Sequence, residues 1–244
     1  MKNGVILIQV AMEVECANFL KMMGEVKRRE ISGYFYFEGE ILGRQVVLSL
    51  ANVGLIESSC SLTLGISVYH PSFIINYGIA GATSSSLHVG DMVVGEKCLN
   101  INSYRTAFRK IGEGMDVMGW ELMTFLSGKE DRLIYYEASP YLLSLVDECR
   151  PHVHYLSGVV GSGDVWNQEL DRISFLHDRY HVLCEDMESI ATYTIANHFS
   201  IPVISFKMIS DNSLLGEEYD RGVGIYLQEY VYQYVCYLIE KSDI

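Results

Sequence analysis

Short apolar runs, each followed by a helical stripe, recur along the chain and constrain its fold more than any other feature. Residues 5–10 form an apolar run, interrupted only by Gln9, that reads as a buried strand. Residues 13–23 then place Cys16, Phe19, Leu20 and Met23 on one helical face. The runs 34–40 and 45–51 read as strands joined by the hairpin-sized turn Leu42-Gly43-Arg44. Gly54 breaks the chain before a helix over about 58–68, and 73–76 is the next buried strand, ending in Gly78-Ile79-Ala80-Gly81. Gly90-Asp91 precedes a strand over 92–95.

Further along, residues 103–130 carry four glycines among mixed charges, which predicts a long loop or lid with a helical insert. The segment 141–149 reads as a helix, 153–161 as a strand, 187–199 as a helix, 202–209 as the last strand and 223–239 as an amphipathic C-terminal helix. Repeats, low-complexity tracts and Pro/Ser-rich linkers are absent from the sequence. Strands separated by helices, with an early hairpin, predict one α/β domain over 1–244 built around a mixed sheet.

Composition limits the partners. At 49% hydrophobic residues, a chain of 244 buries a large core, which rules out disorder for its bulk. Its 18 Lys and Arg against 31 Asp and Glu leave a formal charge of −13. That balance argues against DNA or RNA, because binding a phosphate polymer depends on neutralising its backbone. No run reaches the roughly 18 unbroken apolar residues that a membrane helix needs. The opening ten residues run into Met12-Glu13-Val14-Glu15 without a cleavage-site pattern, so a cytoplasmic protein is expected. Six scattered cysteines in such a chain read as reduced core residues.

Chemistry is expected at the carboxyl ends of strands, where open α/β sheets gather their ligands. The first strand is followed by Met12-Glu13-Val14-Glu15, and the strand at 73–76 runs into the Gly78–Gly81 segment. The strand at 153–161 runs into Ser162-Gly163-Asp164-Val165-Trp166. Glu185-Asp186-Met187-Glu188 precedes a helix, and Ser210-Asp211-Asn212 closes the last strand. Each is ordinary alone. Acidic residues favour helix N-termini, Ser-Asp caps helices, glycine marks turns, and a core aromatic is the lesser alternative for Trp166.

In order and spacing, however, the motifs resemble the nucleoside phosphorylase/nucleosidase superfamily. They are most similar to its 5′-methylthioadenosine/S-adenosylhomocysteine nucleosidases. The resemblance rests on Ala11-Met12-Glu13-x-Glu15, Asn76-x-Gly78-x-Ala80-Gly81, Val89-Gly90-Asp91-x-Val93-Val94, Ser162-Gly163-Asp164, Met187-Glu188 and Ile209-Ser210-Asp211. It implies a three-layer α/β/α sandwich around a mixed central sheet, and a homo-oligomer, most simply a dimer. It further implies a site for a small-molecule purine nucleoside. Asp211 would be the general acid that protonates the leaving purine at N7. Glu188 would grip the ribose hydroxyls and stabilise a cationic sugar. Glu15 would hold and deprotonate water. Met187 would lie against the sugar, Val165 and Trp166 would grip the purine, and Gly78, Ile79, Lys207 and Ser210 complete the expected binding set.

The superfamily divides on the nucleophile. Phosphorolysis needs cations around a dianion, whereas the first loop carries Glu13 and Glu15 and no Lys or Arg before Lys21. Hydrolysis is therefore the leading expectation. A phosphorylase, a nucleosidase for another nucleoside and a non-catalytic nucleoside-binding protein are the alternatives. Two departures bear on this choice: the nucleosidases commonly carry Ser where Ile79 stands and Arg where Lys207 stands. The sequence has no GxGxxG or P-loop pattern, and His152/His154 and His177/His181 lack further ligand partners. Accordingly, neither a cofactor nor a metal is expected.

Overall fold

The computed structural model describes residues 4–125 and 132–242. Its first strand, β1 (Ile6–Val10), is buried at every position. Ile6, Ile8 and Val10 join one apolar cluster and Leu7 another. Side chains alternate across a strand, so this sheet is covered on both faces.

Helix α1 (Glu13–Met23) leads to strands β2 (Lys27–Ile31), β3 (Tyr34–Ile41) and β4 (Arg44–Leu50), and then to helix α2 (Leu55–Tyr69). Strands β5 (Phe73–Ala82) and β6 (Met92–Asn100) precede a two-stranded ribbon of β7 (Tyr104–Arg105) and β8 (Glu121–Leu122). The order continues with β9 (Tyr135–Glu137), α3 (Pro140–Glu148), β10 (Tyr155–Ser162), α4 (Leu170–Tyr180) and β11 (Val182–Asp186). Helix α5 (Ser189–His198), strand β12 (Val203–Asp211) and helix α6 (Gly224–Ser242) complete it.

The main sheet runs β11-β10-β6-β12-β5-β1-β4-β3-β2, with β9 paired to β6. Parallel pairs dominate its centre, while β6/β12 and the β2–β3–β4 meander are antiparallel. The far end of β5 also pairs with β11 through Gly81–Glu185 and Ala82–Cys184. That pairing closes β5, β12, β6, β10 and β11 into a ring. Helices α1, α3 and α6 cover one face, through residues such as Phe19, Leu142, Tyr230 and Tyr234. Helices α2 and α5 cover the other, through Leu62, Ile66, Ile190 and Tyr193. Helix α4 packs Phe175, Leu176 and Tyr180 against Leu99, Ile101 and Leu122 at one end of the ring. This is the expected mixed sheet between two helical layers.

Several elements differ from expectation. Strand β2 (sequence KRREI) is exposed along most of its length. It carries no apolar alternation because it is an edge, where charge suppresses further strand pairing. The turn expected at Gly78–Gly81 is instead the continuation of β5. Helix α4 and strand β11 occupy a stretch to which the sequence pattern gave no element. The expected insert within 103–130 reduces to the β7–β8 ribbon and a 3-10 turn at Val117–Gly119, with 126–131 outside the described residues. All six cysteines are free. Cys16, Cys98 and Cys184 are core residues as expected, whereas Cys60 is exposed and Cys149 and Cys236 are half-buried. Among the described residues no helix is long and apolar enough to cross a membrane.

Candidate active site

A cleft opens where the carboxyl ends of β1, β5, β11 and β12 meet. Ala11, Met12, Glu15, Val53, Ile79, Ala80, Gly81, Val165, Trp166 and Asn167 line it, with Glu185, Asp186, Met187, Glu188, Ser210, Asp211 and Tyr219. Of the ten residues singled out from the sequence, eight lie on this wall. Gly78 and Lys207 sit behind it.

Glu15 stands in the first turn of α1, where backbone N–H groups lack helical partners. Its Oε2 accepts from the Ala11 and Met12 amides at 3.1 and 3.0 Å, and its Oε1 accepts from the Ile79 amide at 3.0 Å. These three bonds fix the carboxyl between two strand ends. Burial raises its pKa, and the backbone donors and the charge of Lys207 only partly offset that rise. Gly78 explains how the carboxyl comes so close to β5: a Cβ there would lie 2.6 Å from Glu15 Oε1. The glycine serves close approach, not a turn.

Glu188 precedes α5 and reaches across to α2. Its Oε1 accepts from the Gly54 amide at 3.0 Å, at the N-terminal end of that helix. Burial, followed by the nearby charge of Asp186, pushes its carboxyl up to about 7. Asp164 accepts from the adjacent Leu55 amide at 2.7 Å. The same helix end therefore anchors both Glu188 and the segment that carries Val165 and Trp166.

Asp211 ends β12 and is half-buried. The Ser210 hydroxyl donates to its Oδ1 at 2.7 Å and lies 3.2 Å from the Ala80 carbonyl. Beyond it, Asn212 donates to the carbonyls of Ser84 and Leu87, and Glu217 accepts from the Val89 amide. These bonds fold the chain back so that Tyr219 meets Trp166, with ring centroids 5.3 Å apart. Trp166 is 62% exposed at the cleft mouth, which excludes a core role for it.

Lys207 is 1% exposed, and its Nζ lies 2.7 Å from Asp186 Oδ2. Burial works against both charges, yet their mutual attraction outweighs it. Asp186 is held below its ordinary pKa and Lys207 above its own. The Ser189 amide and hydroxyl also donate to Asp186. From behind the wall, Lys207 thus compensates a buried carboxylate of the cleft lining, and none of the lining residues is Lys or Arg.

Sequence reading missed Glu185, Asp186, Asn167, Asp164 and Tyr219. Glu185 and Asp186 were visible in the run before Met187, and Asp164 in Ser162-Gly163-Asp164. Tyr219 has no local signal, since only the folding-back of residues 212–220 brings it to the cleft. The histidines lie elsewhere. His181 caps α4 in the left-handed conformation, His177 Nδ1 lies 2.8 Å from the Val182 carbonyl, and His154 pairs with Asp91. No group of three or more potential metal ligands converges among the described residues.

Chemically, the cleft offers several carboxyl groups poised by burial for proton transfer, beside an apolar and aromatic mouth. Its lining holds no cation to bind a polyanion.

A sequence profile of the phosphorylase superfamily matches residues 5–223. The 5′-methylthioadenosine/S-adenosylhomocysteine nucleosidase of Oceanobacillus iheyensis is 26% identical over 221 residues, covering 89% of this chain and 90% of that protein. The same fold occurs in the nucleosidase of that name from S. pneumoniae, solved with a transition-state inhibitor. The TM-score is 0.78 at 21% identity, covering 96% of this chain and 99% of that one. A futalosine hydrolase mutant of Helicobacter pylori superposes equally well, with a TM-score of 0.78 at 18% identity over 98% and 99% of the two chains. At such identities the structural likeness establishes the fold.

Proposed function

The chain belongs to the phosphorylase superfamily, and from that premise we propose that it hydrolyses the N-glycosidic bond of a purine nucleoside. The favoured substrates are 5′-methylthioadenosine and S-adenosylhomocysteine, the compounds named for its curated relatives. One observation carries this reading. Glu15, Glu188 and Asp211, from three separate elements, converge on one cleft whose lining has no Lys or Arg.

In this reaction Asp211 gives a proton to N7 of the base. The C1′–N9 bond then breaks with its electron pair going to the purine. Glu188 accepts the ribose hydroxyl hydrogen bonds and faces the cationic sugar. Glu15 holds water beside C1′ and takes one of its protons as the new C1′–O bond forms. Its burial-raised pKa makes it a better base than an exposed carboxylate. Met187 and Ile79 flank the sugar, while Val165, Trp166 and Tyr219 pack against the base.

Water is favoured over phosphate on electrostatic grounds. A phosphate dianion beside Glu15 would meet a carboxyl held by three amides and no free cation. Lys207 lies behind the wall, committed to Asp186. Gly78 and Lys207 act as positioning residues in this scheme. The exposed apolar residues Phe108, Ile111 and Met115 support a homodimer that would cover them, which sedimentation tests directly.

The experiment is release of adenine from methylthioadenosine in phosphate-free buffer. Release that is indifferent to added phosphate is expected, and strict dependence on phosphate would select phosphorolysis. Asp211→Asn should abolish turnover while ligand still binds. Full activity in that variant would remove the acid assignment.

A further inference from the structure

Glu185 has no part in the chemistry above, yet it lies on the wall of the same cleft. It is 8% exposed, and its Oε2 has no hydrogen-bond partner among the described residues. A buried carboxyl oxygen without a partner is costly unless something else satisfies it. Its place in the sheet is specific. Glu185 on β11 and Asp211 on β12 are both cross-strand neighbours of Gly81, one on each side of β5. The two carboxyl groups therefore flank one glycine at the floor of the cleft, on the side where Asn167 and the Val165–Trp166 segment stand.

We propose that Glu185 reads the leaving base: its carboxyl O–H donates to a ring nitrogen of the purine while its carbonyl oxygen accepts from the adjacent exocyclic amine. The inference rests on the nucleosidase reading of the cleft and adds a residue that sets its base specificity. The groups around Glu185 agree with a neutral carboxyl. Burial pushes it up to about 8, with Asp211 and Asp186 adding to the rise. The Asn167 side chain and the Arg172 guanidinium oppose it without cancelling it. At neutral pH the carboxyl consequently keeps its proton, and with it the donor that a 6-aminopurine requires.

The neutral carboxyl can pair with either base class, and its ionisation penalises the aminopurine more. A neutral carboxyl offers one donor and one acceptor, matching the amine and neighbouring ring nitrogen of a 6-aminopurine. An ionised carboxylate offers acceptors only and confronts the ring nitrogen's lone pair. A 6-oxopurine presents N–H beside its carbonyl oxygen, so it still donates to the ionised form. Raising the pH should thus weaken aminopurine binding selectively.

Calorimetric binding of 9-methyladenine and 9-methylhypoxanthine at about pH 6.5 and about pH 8.5 tests this. In the unaltered protein, 9-methyladenine affinity should fall up to about four-fold over that range, as far as the neutral fraction of a carboxyl at about 8 falls, while 9-methylhypoxanthine changes less. Glu185→Gln keeps a donor and an acceptor at every pH, so its 9-methyladenine affinity should lose the pH dependence. Glu185→Leu should bind 9-methyladenine about ten-fold more weakly at the lower pH. An unchanged pH dependence in Glu185→Gln would overturn the proposal, as would full affinity in Glu185→Leu or no binding by the unaltered protein. A large fall in kcat at full affinity in Glu185→Gln would overturn it too, by making the residue a proton donor. Because binding is read without turnover, a protein that binds the bases as expected but cleaves no nucleoside would sink the hydrolase reading alone.

Discussion

Lys207 Nζ and Asp186 Oδ2 lie 2.7 Å apart, each side chain 1% exposed. Asp186 also accepts from the Ser189 hydroxyl at 2.7 Å, so the pair is locked in place, Asp186 on the cleft wall and Lys207 behind it. Removing one partner of a buried pair strands the other charge. Lys207→Met should therefore cost about 3–5 kcal/mol in denaturant unfolding. The double variant Lys207→Met/Asp186→Asn should recover a substantial part of that loss. If the single variant is as stable as the parent, the pair is not what stabilises this region.

Gly78 sits where β5 passes the Glu15 carboxyl, and its backbone is outside the left-handed region. Alanine would be unstrained in conformation but would place Cβ 2.6 Å from Oε1. The carboxyl, held by three amides, cannot swing away without breaking them. Gly78→Ala should lower kcat by about ten-fold or more through misplacement of Glu15, the group proposed to hold water. Unfolding should show an overpacking cost of about 1–3 kcal/mol. Steady-state kinetics that match the parent would remove Gly78 from the positioning set.

What the sequence disclosed follows from where physical signals are local. β1, α1 and the β3–β4 hairpin were legible because burial on one or two faces writes a period into neighbouring residues. The proposed trio of Glu15, Glu188 and Asp211 stood at a strand end or helix start, and the order of the motifs, matched to the resemblance, singled it out. Strand β2 was invisible, since an exposed edge such as Lys27–Ile31 carries no apolar pattern. The continuation of β5 was hidden for a different reason. Its glycines answer to Glu15 and Asp211, which lie 63 and 130 positions away, and local rules read them as a turn. Glu185 and Tyr219 reach the cleft only through ring closure and the folding-back after Asn212. Glu185 shows in the sequence only as part of the acidic run before Met187, and Tyr219 leaves no local trace.

Glu188 offers a pH test. Burial and Asp186 push its carboxyl up to about 7, against Lys207 and the Gly54 amide. In the proposed reaction its ionised form accepts two ribose hydroxyl hydrogen bonds and faces the cationic sugar. A raised carboxyl is protonated below its pKa, so kcat/KM should fall as pH drops through about 7. Glu188→Gln should lose that acid limb and about 100-fold or more of kcat. Glu15, also raised by burial, contributes to the same limb. A residual limb in Glu188→Gln would then belong to Glu15, whereas an unchanged profile would remove Glu188 from it.

Asp164 links the mouth of the cleft to helix α2. Its Oδ1 accepts from the Leu55 amide at 2.7 Å, one residue past the Gly54 amide that holds Glu188. In sequence it immediately precedes Val165 and Trp166, both of which line the cleft and are substantially exposed. Those side chains have little packing of their own to hold them, so their position depends on this anchor. Asp164→Ala should remove a helix-end acceptor at about 1 kcal/mol and loosen the aromatic wall. Substrate affinity should suffer more than chemistry: KM rises about ten-fold while kcat changes less, because Glu188 keeps its own amide. Tryptophan emission should shift, since the Trp166–Tyr219 contact at 5.3 Å loses its support. Asp164→Asn retains an acceptor and should restore most of the affinity. An equal fall in kcat and kcat/KM in Asp164→Ala would instead place Asp164 with the groups that act in the transition state.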